Sequence, residues 1–364
     1  MTTKEFYEKL KEDVGGLGEV KTEKDTEIQL LDEQIEMLRA LFAEWAKRMS
    51  IQGLKKYLND FLKKPTQENG KVYELLVYAW LERNFPCYVP QIHIEREKCF
   101  KASENGYDAD GRIEETIVFD VKQFGITLPH IATLQKKLQK KLQEKIPEEY
   151  WLSIEGDESL SNAEFQKRYL NCVDDLAAKI MNEENSLLGD YLYRDKVTGW
   201  SFRLRKKEKN PANVSIRTYD AYQWAENNEF YFMNHASQFC VDVPYIIFCP
   251  YDKNILAMLC GDREIAMTSF RALCRRMFMR LTRIEDHTID QWDGKARSGI
   301  TVAQAARKLS AMVFLDVSEN FDGKVGHAFM FKNPNADHPV PEHSANAIFR
   351  AASVLIDDFR CDNY

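Results

Sequence analysis

The chain has 364 residues, of which 44% are hydrophobic and 29% are charged, and its net charge is −7 at neutral pH. This is enough for one large domain or two ordinary domains with a sizeable core. No stretch reaches the ~18 apolar residues of a membrane span, and the start, MTTKEFYEKL, lacks the apolar region of a secretory signal. We expect a cytoplasmic protein with no membrane partner.

The cysteines and histidines argue against a zinc enzyme. The 8 cysteines are scattered with no CxxC pair, and the 7 histidines show no HExxH motif. Structural and catalytic zinc sites use such spacings. We therefore interpret the cysteines as reduced thiols, several of them buried in apolar segments.

The first part of the chain is predicted to be helical. Residues 27–64 have helical periodicity for two helices that end near Pro65, which defines an N-terminal helical region over residues 1–65. The next segment, KVYELLVYAWLERNF at 71–85, is apolar almost all round and predicts a buried helix. Glu74 has apolar and aromatic helical neighbours, which contact with a metal or its water would explain. The alternative is a glutamate favoured by the dipole at the helix start.

Residues 107–124, YDADGRIEETIVFDVKQF, carry the most informative pattern. A short polar run between two strand-like segments predicts a hairpin. Alternate side chains of a strand share a face, so Asp108 and Asp110 lie together on the first strand and Asp120 and Lys122 on the second. Three clustered carboxylates need a neutralising cation, because burying unpaired charge costs several kcal/mol. The hairpin therefore predicts a site for a divalent metal.

Acid-x-lysine triplets also occur by chance in a chain this rich in charge. Two of the other three examples lie on Asp-Gly turns, which are ordinary turn chemistry, and the third follows no strand-like segment: Glu19–Lys21, Asp293–Lys295 and Asp322–Lys324. The triplet Asp120-Val121-Lys122 alone follows a β-branched apolar run and has an acidic strand upstream. This context favours the functional interpretation.

These motifs together resemble the PD-(D/E)xK nuclease superfamily. Glu74 matches its helix glutamate, residues 87–95 its first core strand, Asp120-Val121-Lys122 its (D/E)xK motif, and residues 128–146 the helix that follows. Tyr107-Asp108 stands where the family has Pro-Asp, so the proline is missing. On this match Asp108 is preferred to Asp110 as the upstream acid, although both stay candidates.

The resemblance implies an α/β fold with a restriction-endonuclease-like mixed β-sheet core flanked by helices. In addition to this core, we expect an N-terminal helical extension and extra C-terminal α/β elements. The catalytic core spans residues 66–148. Residues 149–364 form a helical insertion and a C-terminal α/β region, expected to be continuous with the core.

The resemblance also implies roles for the site residues. Asp120, Asp108 or Asp110 and the Val121 carbonyl hold one or two Mg²⁺ ions, for which Mn²⁺ can substitute, and Mg²⁺ keeps several of its waters. Lys122 orients the attacking water and balances charge in the transition state. Glu74 contacts the metal through water or anchors Lys122.

Beyond residue 148 the pattern is coarser. Residues 148–195 are predicted to be mostly helical, and 200–205 and 214–219 to form a hairpin. Further strands and helices are predicted at 245–249, 301–309, 311–317, 327–331 and 344–359. We favour a single elaborated α/β body.

Two basic clusters could contact phosphates despite the negative net charge. Positions 271, 275, 276, 280 and 283 are all arginine and form one stripe on an ideal helix, and FRLRKKEK begins at residue 202. The predicted nucleic-acid contacts are Arg271, Arg275, Arg276, Arg280, Arg203, Arg205 and Lys206. The alternative is a solvated helix face.

Three functions compete. The first is a DNA endonuclease of restriction or phage-defence type, as a homodimer or with partner proteins of a defence or repair system. The second is a repair or recombination exonuclease or a structure-specific nuclease. The third is a catalytically silent nucleic-acid-binding or scaffold protein with a nuclease-like fold. No GxxxxGK[ST] phosphate loop is present, so any motor that assists must be another protein.

Overall fold

The chain divides into two compact units, residues 1–124 with 229–364 and residues 125–228. The computed structural model describes residues 1–18, 25–30, 32–63, 65, 70–100, 105–122, 127–142, 150–155, 165–182, 193–206, 220–229, 233–251, 263–288, 299–317, 328–352 and 354–360.

The first unit begins with four helices: α1 (Thr3–Asp13), α2 (Asp32–Trp45), α3 (Ile51–Lys63) and α4 (Gly70–Asn84). The periodicity of residues 27–64 correctly predicts α2 and α3, and the apolar segment at 71–85 correctly predicts α4. α1 lies outside the predicted helices; a capping box between Thr2 and Glu5 fixes its start.

Three antiparallel strands follow: β1 (Val89–Ile94), β2 (Tyr107–Ile113) and β3 (Ile117–Val121). The predicted hairpin is therefore present, with Ile113 paired to Ile117 across the turn. Glu114 and Glu115 in this turn both have positive φ, 50° and 63°. Left-handed backbone at two successive non-glycine residues is unfavourable, so the paired strands hold the turn in place.

The second unit contains α5 (Thr127–Lys141), β4 (Tyr150–Glu155), α6 (Val173–Asn182), β5 (Tyr193–Arg194), β6 (Ser201–Lys206) and α7 (Ala221–Asn228). Its sheet has the antiparallel order β4-β6-β5. The prediction that 148–195 is mostly helical holds for the described residues 165–182, which are largely helical. The strand β4 was not predicted, and its Leu152 and Ile154 side chains lie on one buried face. The predicted strand 214–219 lies outside the described residues.

The chain then returns to the first unit. It forms β7 (Tyr245–Tyr251), α8 (Arg263–Arg275), α9 (Val302–Lys308), β8 (Ala311–Asp316), β9 (Ala328–Lys332), α10 (Glu342–Ala352) and β10 (Val354–Asp357). The predicted strands near 245, 311 and 327 are confirmed, although residue 327 itself is not described. The predicted helix 344–359 is wrong at its end, because β10 begins two residues after α10 and pairs parallel with β9.

Within the described residues, the main sheet has seven strands in the order β1-β2-β3-β7-β8-β9-β10. β3, β7 and β8 run parallel to one another and the other neighbours are antiparallel except β9 and β10. Every residue of β7 is buried, as expected for a strand at the centre of a mixed sheet with both faces covered. The expected α/β class, a mixed sheet flanked by helices, is confirmed. Within the part of the chain that the structure describes, no helix is both long and apolar enough to cross a membrane.

Candidate active site

The backbone pairing of β2 with β3 ends at Gly111 and Phe119. Beyond this pair, side chains form hydrogen bonds between the two strands. The N–H of Asp110 donates to Oδ1 of Asp120 at 3.2 Å. The N–H of Val121 donates to Oδ2 of Asp110 at 2.6 Å. Two carboxylates therefore occupy the hydrogen-bonding positions that carbonyl groups would fill in a continuous ladder.

Gly111 allows this arrangement because its neighbours approach closely. A Cβ at this position would lie 2.6 Å from the Val89 carbonyl oxygen and 2.7 Å from the Phe119 ring. No real side chain fits at such distances, so glycine lets β1, β2 and β3 come together next to Asp110.

Asp120 is fully buried, with 0% of its side chain exposed. Its Oδ2 accepts a hydrogen bond from the Tyr107 hydroxyl at 2.5 Å and contacts Lys122 Nζ at 3.1 Å. A buried carboxylate persists only with such partners, because an uncompensated charge in the interior is very costly. Tyr107 and Lys122 therefore hold the Asp120 carboxyl group in position.

Lys122 follows the end of β3, and its own N–H donates to the Phe248 carbonyl at 2.9 Å. Burial by itself lowers the pKa of the Lys122 ammonium. The carboxylates of Asp120, Asp110 and Glu74 outweigh burial, so the pKa is raised above its usual value. Lys122 is thus a permanent cation within this acidic cluster.

Glu74 projects from the first turns of α4, with 15% of its side chain exposed. Its Oε1 accepts a hydrogen bond from the Tyr78 hydroxyl at 2.8 Å, and its Oε2 pairs with Lys71 Nζ at 2.6 Å. Its charge helps to raise the pKa of both Asp110 and Lys122. The predicted helix glutamate therefore lies within electrostatic reach of Asp110 and Lys122.

Asp110 has the most strongly perturbed acidic group of the cluster. Burial, the charge of Asp120 and the charge of Glu74 raise its pKa from 3.8 to about 7, in that order of importance. The Val121 N–H and Lys122 act in the opposite direction and do not compensate. A carboxyl group in this state binds a proton or a cation readily.

The residues present fit a magnesium ion better than a transition metal. Mg²⁺ is usually held by one or two carboxylates and keeps several waters, and Asp110 with Asp120 provides such a set. Oδ1 of Asp110 accepts no hydrogen bond from the described residues. Among those residues, no three His, Cys, Asp or Glu side chains are grouped closely enough to form an all-protein metal cage.

Asp108, which the Pro-Asp match favours, lies elsewhere. Its side chain is 78% exposed and its Oδ1 is 2.8 Å from Nδ1 of His93, on the neighbouring strand. The structure brings together Glu74, Asp110, Asp120 and Lys122. The Asp108 side chain lies outside this group and is exposed to solvent. Val121 contributes its N–H to Asp110.

Two tyrosines in the site are not predicted from the sequence. Tyr107 matters in the sequence only as the residue that replaces a proline, and the Tyr245 ring is fully buried in β7. Burial and the charge of Asp120 raise the pKa of both hydroxyls. Strand alternation does not predict the Tyr107–Asp120 contact, because it assigns Tyr107 to the face opposite Asp108 and Asp110.

The arginine stripe is not a single α-helical stripe. α8 ends at Arg275, and residues Arg276–Arg280 form a π-helical turn, which changes the spacing on which the prediction depends. Arg276 and Arg280 both pair with Glu229, which is 4% exposed. Glu229 is therefore the shared ion partner of both arginines, and 48% of the Arg280 side chain stays exposed.

The other predicted basic contacts belong to α8 and β6. Arg271 pairs with Asp357 at 2.6 Å and lies over the Phe359 ring, and Arg275 is partly buried at the end of α8. Arg203 is in β6 of the second unit, opposite Ser153. Arg205 and Lys206 belong to the same strand, and their side chains lie outside the described residues.

Comparisons with known proteins identify no relative of this chain. No protein-family model, curated protein or solved structure matches it significantly.

Proposed function

We propose that this protein is a metal-dependent nuclease of the PD-(D/E)xK, restriction-endonuclease-like type that hydrolyses phosphodiester bonds of DNA. Support for the fold comes from the chain order α4, β1, β2, β3 and α5, which is the order that the resemblance implies. Support for the activity comes from the residues that this order places together.

The observation that carries the proposal is the cluster of Asp110, Asp120 and Lys122 where β2 and β3 separate. Two carboxylates share this point, and one lysine contacts the buried member of the pair. With Glu74 nearby the group has an excess of negative charge, which raises the pKa of Asp110. A divalent cation would relieve that excess, since an opposite charge favours the ionised form of a carboxyl group.

Each residue has a distinct role in the proposed reaction. Asp110 and Asp120 would hold Mg²⁺, or Mn²⁺ in its place, and the ion when bound supplies Lewis acidity and charge neutralisation at the scissile phosphate. Lys122 positions the attacking water and stabilises the negative charge of the transition state. Tyr107 holds Asp120 in place through its hydroxyl, and Glu74 adjusts the electrostatics of Asp110 and Lys122.

The direct test is cleavage of a mixture of plasmid, linear and single-stranded DNA with Mg²⁺ or Mn²⁺. We expect metal-dependent cleavage that EDTA stops and that Lys122→Ala reduces by ~100-fold or more, which is typical of removing one stabilising group. Lys47→Ala is the matched control, because Lys47 forms only a surface pair with Glu44. Nicked or linear plasmid would indicate an endonuclease, and mononucleotides or short products an exonuclease.

One observation favours the catalytically silent alternative. Asp120 already has partners on both oxygens, namely the Asp110 N–H, Tyr107 and Lys122. A network that is complete without a metal could serve stability alone. Absence of cleavage with either metal, together with absence of Mn²⁺ binding by calorimetry, would support that alternative and reject the nuclease.

A further inference from the structure

Two cysteines face each other across a short antiparallel contact outside the acidic cluster. Cys99 follows a short 3₁₀ turn, Arg96–Lys98, and Cys240 lies five residues before β7. The two residues form an isolated antiparallel β-bridge. The N–H of Phe100 donates to the Phe239 carbonyl at 2.8 Å, and the N–H of Val241 donates to the Lys98 carbonyl at 3.0 Å.

These two hydrogen bonds lie on either side of the cysteine pair and not within it. Cys99 and Cys240 are thus a non-hydrogen-bonded pair, the closer kind in antiparallel structure, for which Cα atoms lie about 4.5 Å apart. Disulfides form across Cα separations of roughly 4.4–6.8 Å. The backbone pairing of these two residues therefore matches that of a cross-strand disulfide.

Both residues are free, buried thiols, with 6% of Cys99 and 1% of Cys240 exposed. The Cys99 thiol donates to the Ile94 carbonyl at 3.7 Å. Burial raises the pKa of both thiols, and the proximity of Cys99 raises that of Cys240 further. Thiols of this kind react slowly, so the pair should stay reduced until the oxidant is abundant.

We propose that Cys99 and Cys240 are a reversible oxidation site at which a peroxide converts the two thiols into a disulfide. In the first step the Cys99 thiolate attacks one oxygen of hydrogen peroxide, the O–O bond breaks, and a sulfenic acid and hydroxide form. In the second step the Cys240 sulfur attacks the Cys99 sulfur, the S–O bond breaks, and hydroxide leaves. Each sulfur loses one electron, the two thiol protons end in water, and the net products are one disulfide and two waters.

The bond would constrain a long segment of the chain. The closed loop runs from residue 99 to residue 240 and contains β2, β3 and the whole second unit, residues 125–228. Closing a long loop removes conformational freedom from the unfolded chain. Oxidation should therefore raise the melting temperature, and this holds whether or not the protein is a nuclease.

The test is non-reducing peptide mapping by mass spectrometry after treatment of the full chain with hydrogen peroxide. We expect a cross-linked pair of peptides that contain Cys99 and Cys240, lighter by two hydrogens than the sum of the thiol peptides and separated by dithiothreitol. The oxidised protein should unfold ~5–10 °C higher than the reduced protein.

Cys249 and Cys274 provide the internal control. They are also buried, and Cys274 contacts the Met312 sulfur. In the described structure no β-bridge joins their backbones. Their peptides should stay uncross-linked, and Cys249→Ser should leave the Cys99–Cys240 product unchanged, whereas Cys99→Ser should abolish it together with the rise in melting temperature.

Two results would overturn the proposal. One is a wild-type map in which Cys99 and Cys240 stay thiols while the exposed Cys87 is oxidised. The other is irreversible sulfinic acid at either position with no cross-link. Both results come from the wild-type chain, so they do not depend on the folding of any variant.

Discussion

Asp110 and Asp120 each accept a hydrogen bond from the backbone of the other's strand, at 3.2 Å to Asp120 Oδ1 and 2.6 Å to Asp110 Oδ2. This exchange holds two like charges together at the point where the β2–β3 ladder ends. The strands gain hydrogen bonds from the carboxylates, while the charges repel each other. We therefore expect the repulsion between these charges to lower the stability of the fold, which is common at functional sites.

Asp110→Asn separates these two effects. The amide oxygen still accepts the Val121 N–H, so the strand contact is kept while one charge is removed. We expect cleavage to fall by ~100-fold or more and the free energy of unfolding at pH 8 to be unchanged or higher. Cleavage assays and urea denaturation of the same preparation measure both quantities.

Asp108→Asn is the matched control for that experiment. Asp108 is two residues away on β2, and its exposed carboxylate contacts only His93 in the described structure. We expect the variant to keep roughly half of the wild-type cleavage rate or more, because an exposed ion pair contributes little to the stability of the fold. A large loss in Asp108→Asn with little loss in Asp110→Asn would restore Asp108 as the upstream acid.

The stability of the metal-free protein should depend on pH through Asp110. In the folded protein the pKa of Asp110 is about 7, raised from 3.8, so the folded state holds more protons than the unfolded chain between those values. The stabilising contribution is therefore complete below about pH 4 and is lost as the pH rises toward about 7. Urea midpoints measured between these pH values should fall with pH for wild type and fall less for Asp110→Asn; parallel curves would refute the assignment.

The β2–β3 turn can be stabilised without touching the site. Glu115 has φ of 63°, a conformation that glycine adopts freely. We expect Glu115→Gly to raise the free energy of unfolding by about 0.5–1 kcal/mol. Thr116→Gly changes a residue of the same turn that does not have positive φ, so it should not stabilise the protein. Thermal denaturation of the two variants distinguishes these outcomes.

The cluster of Glu229, Arg276 and Arg280 should behave as a structural ion group. Arg276→Met with Arg280→Met leaves the buried Glu229 without these partners, which should lower the free energy of unfolding by about 3–5 kcal/mol. Adding Glu229→Met should recover most of the loss, because apolar side chains can replace a buried ion group. Failure of the triple variant to recover stability in urea denaturation would show that the arginines act by another route.

The sequence was sufficient for those parts of the fold whose signals are local. The segment at 71–85 predicted α4 because a helix buried on all sides is apolar almost all round. The short polar run between two strand-like segments in residues 107–121 predicted the β2–β3 hairpin. Within that hairpin, the spacing of Asp120 and Lys122 placed the lysine beside the buried acid. The same local rules failed for β10, a four-residue strand whose pairing depends on β9.

Only the tertiary structure shows that Asp110, and not Asp108, contacts the end of β3. It also shows which carboxylates the arginines pair with. Strand alternation places both acids on the same face of β2. Their surroundings differ because the Val121 N–H of β3 donates to Asp110, whereas His93 of β1 contacts Asp108. Likewise Arg276 and Arg271 find their carboxylates 47 and 86 residues away along the chain. Charge partners so distant leave no periodic signal in the sequence, because Coulomb attraction acts through space and depends on how the elements pack.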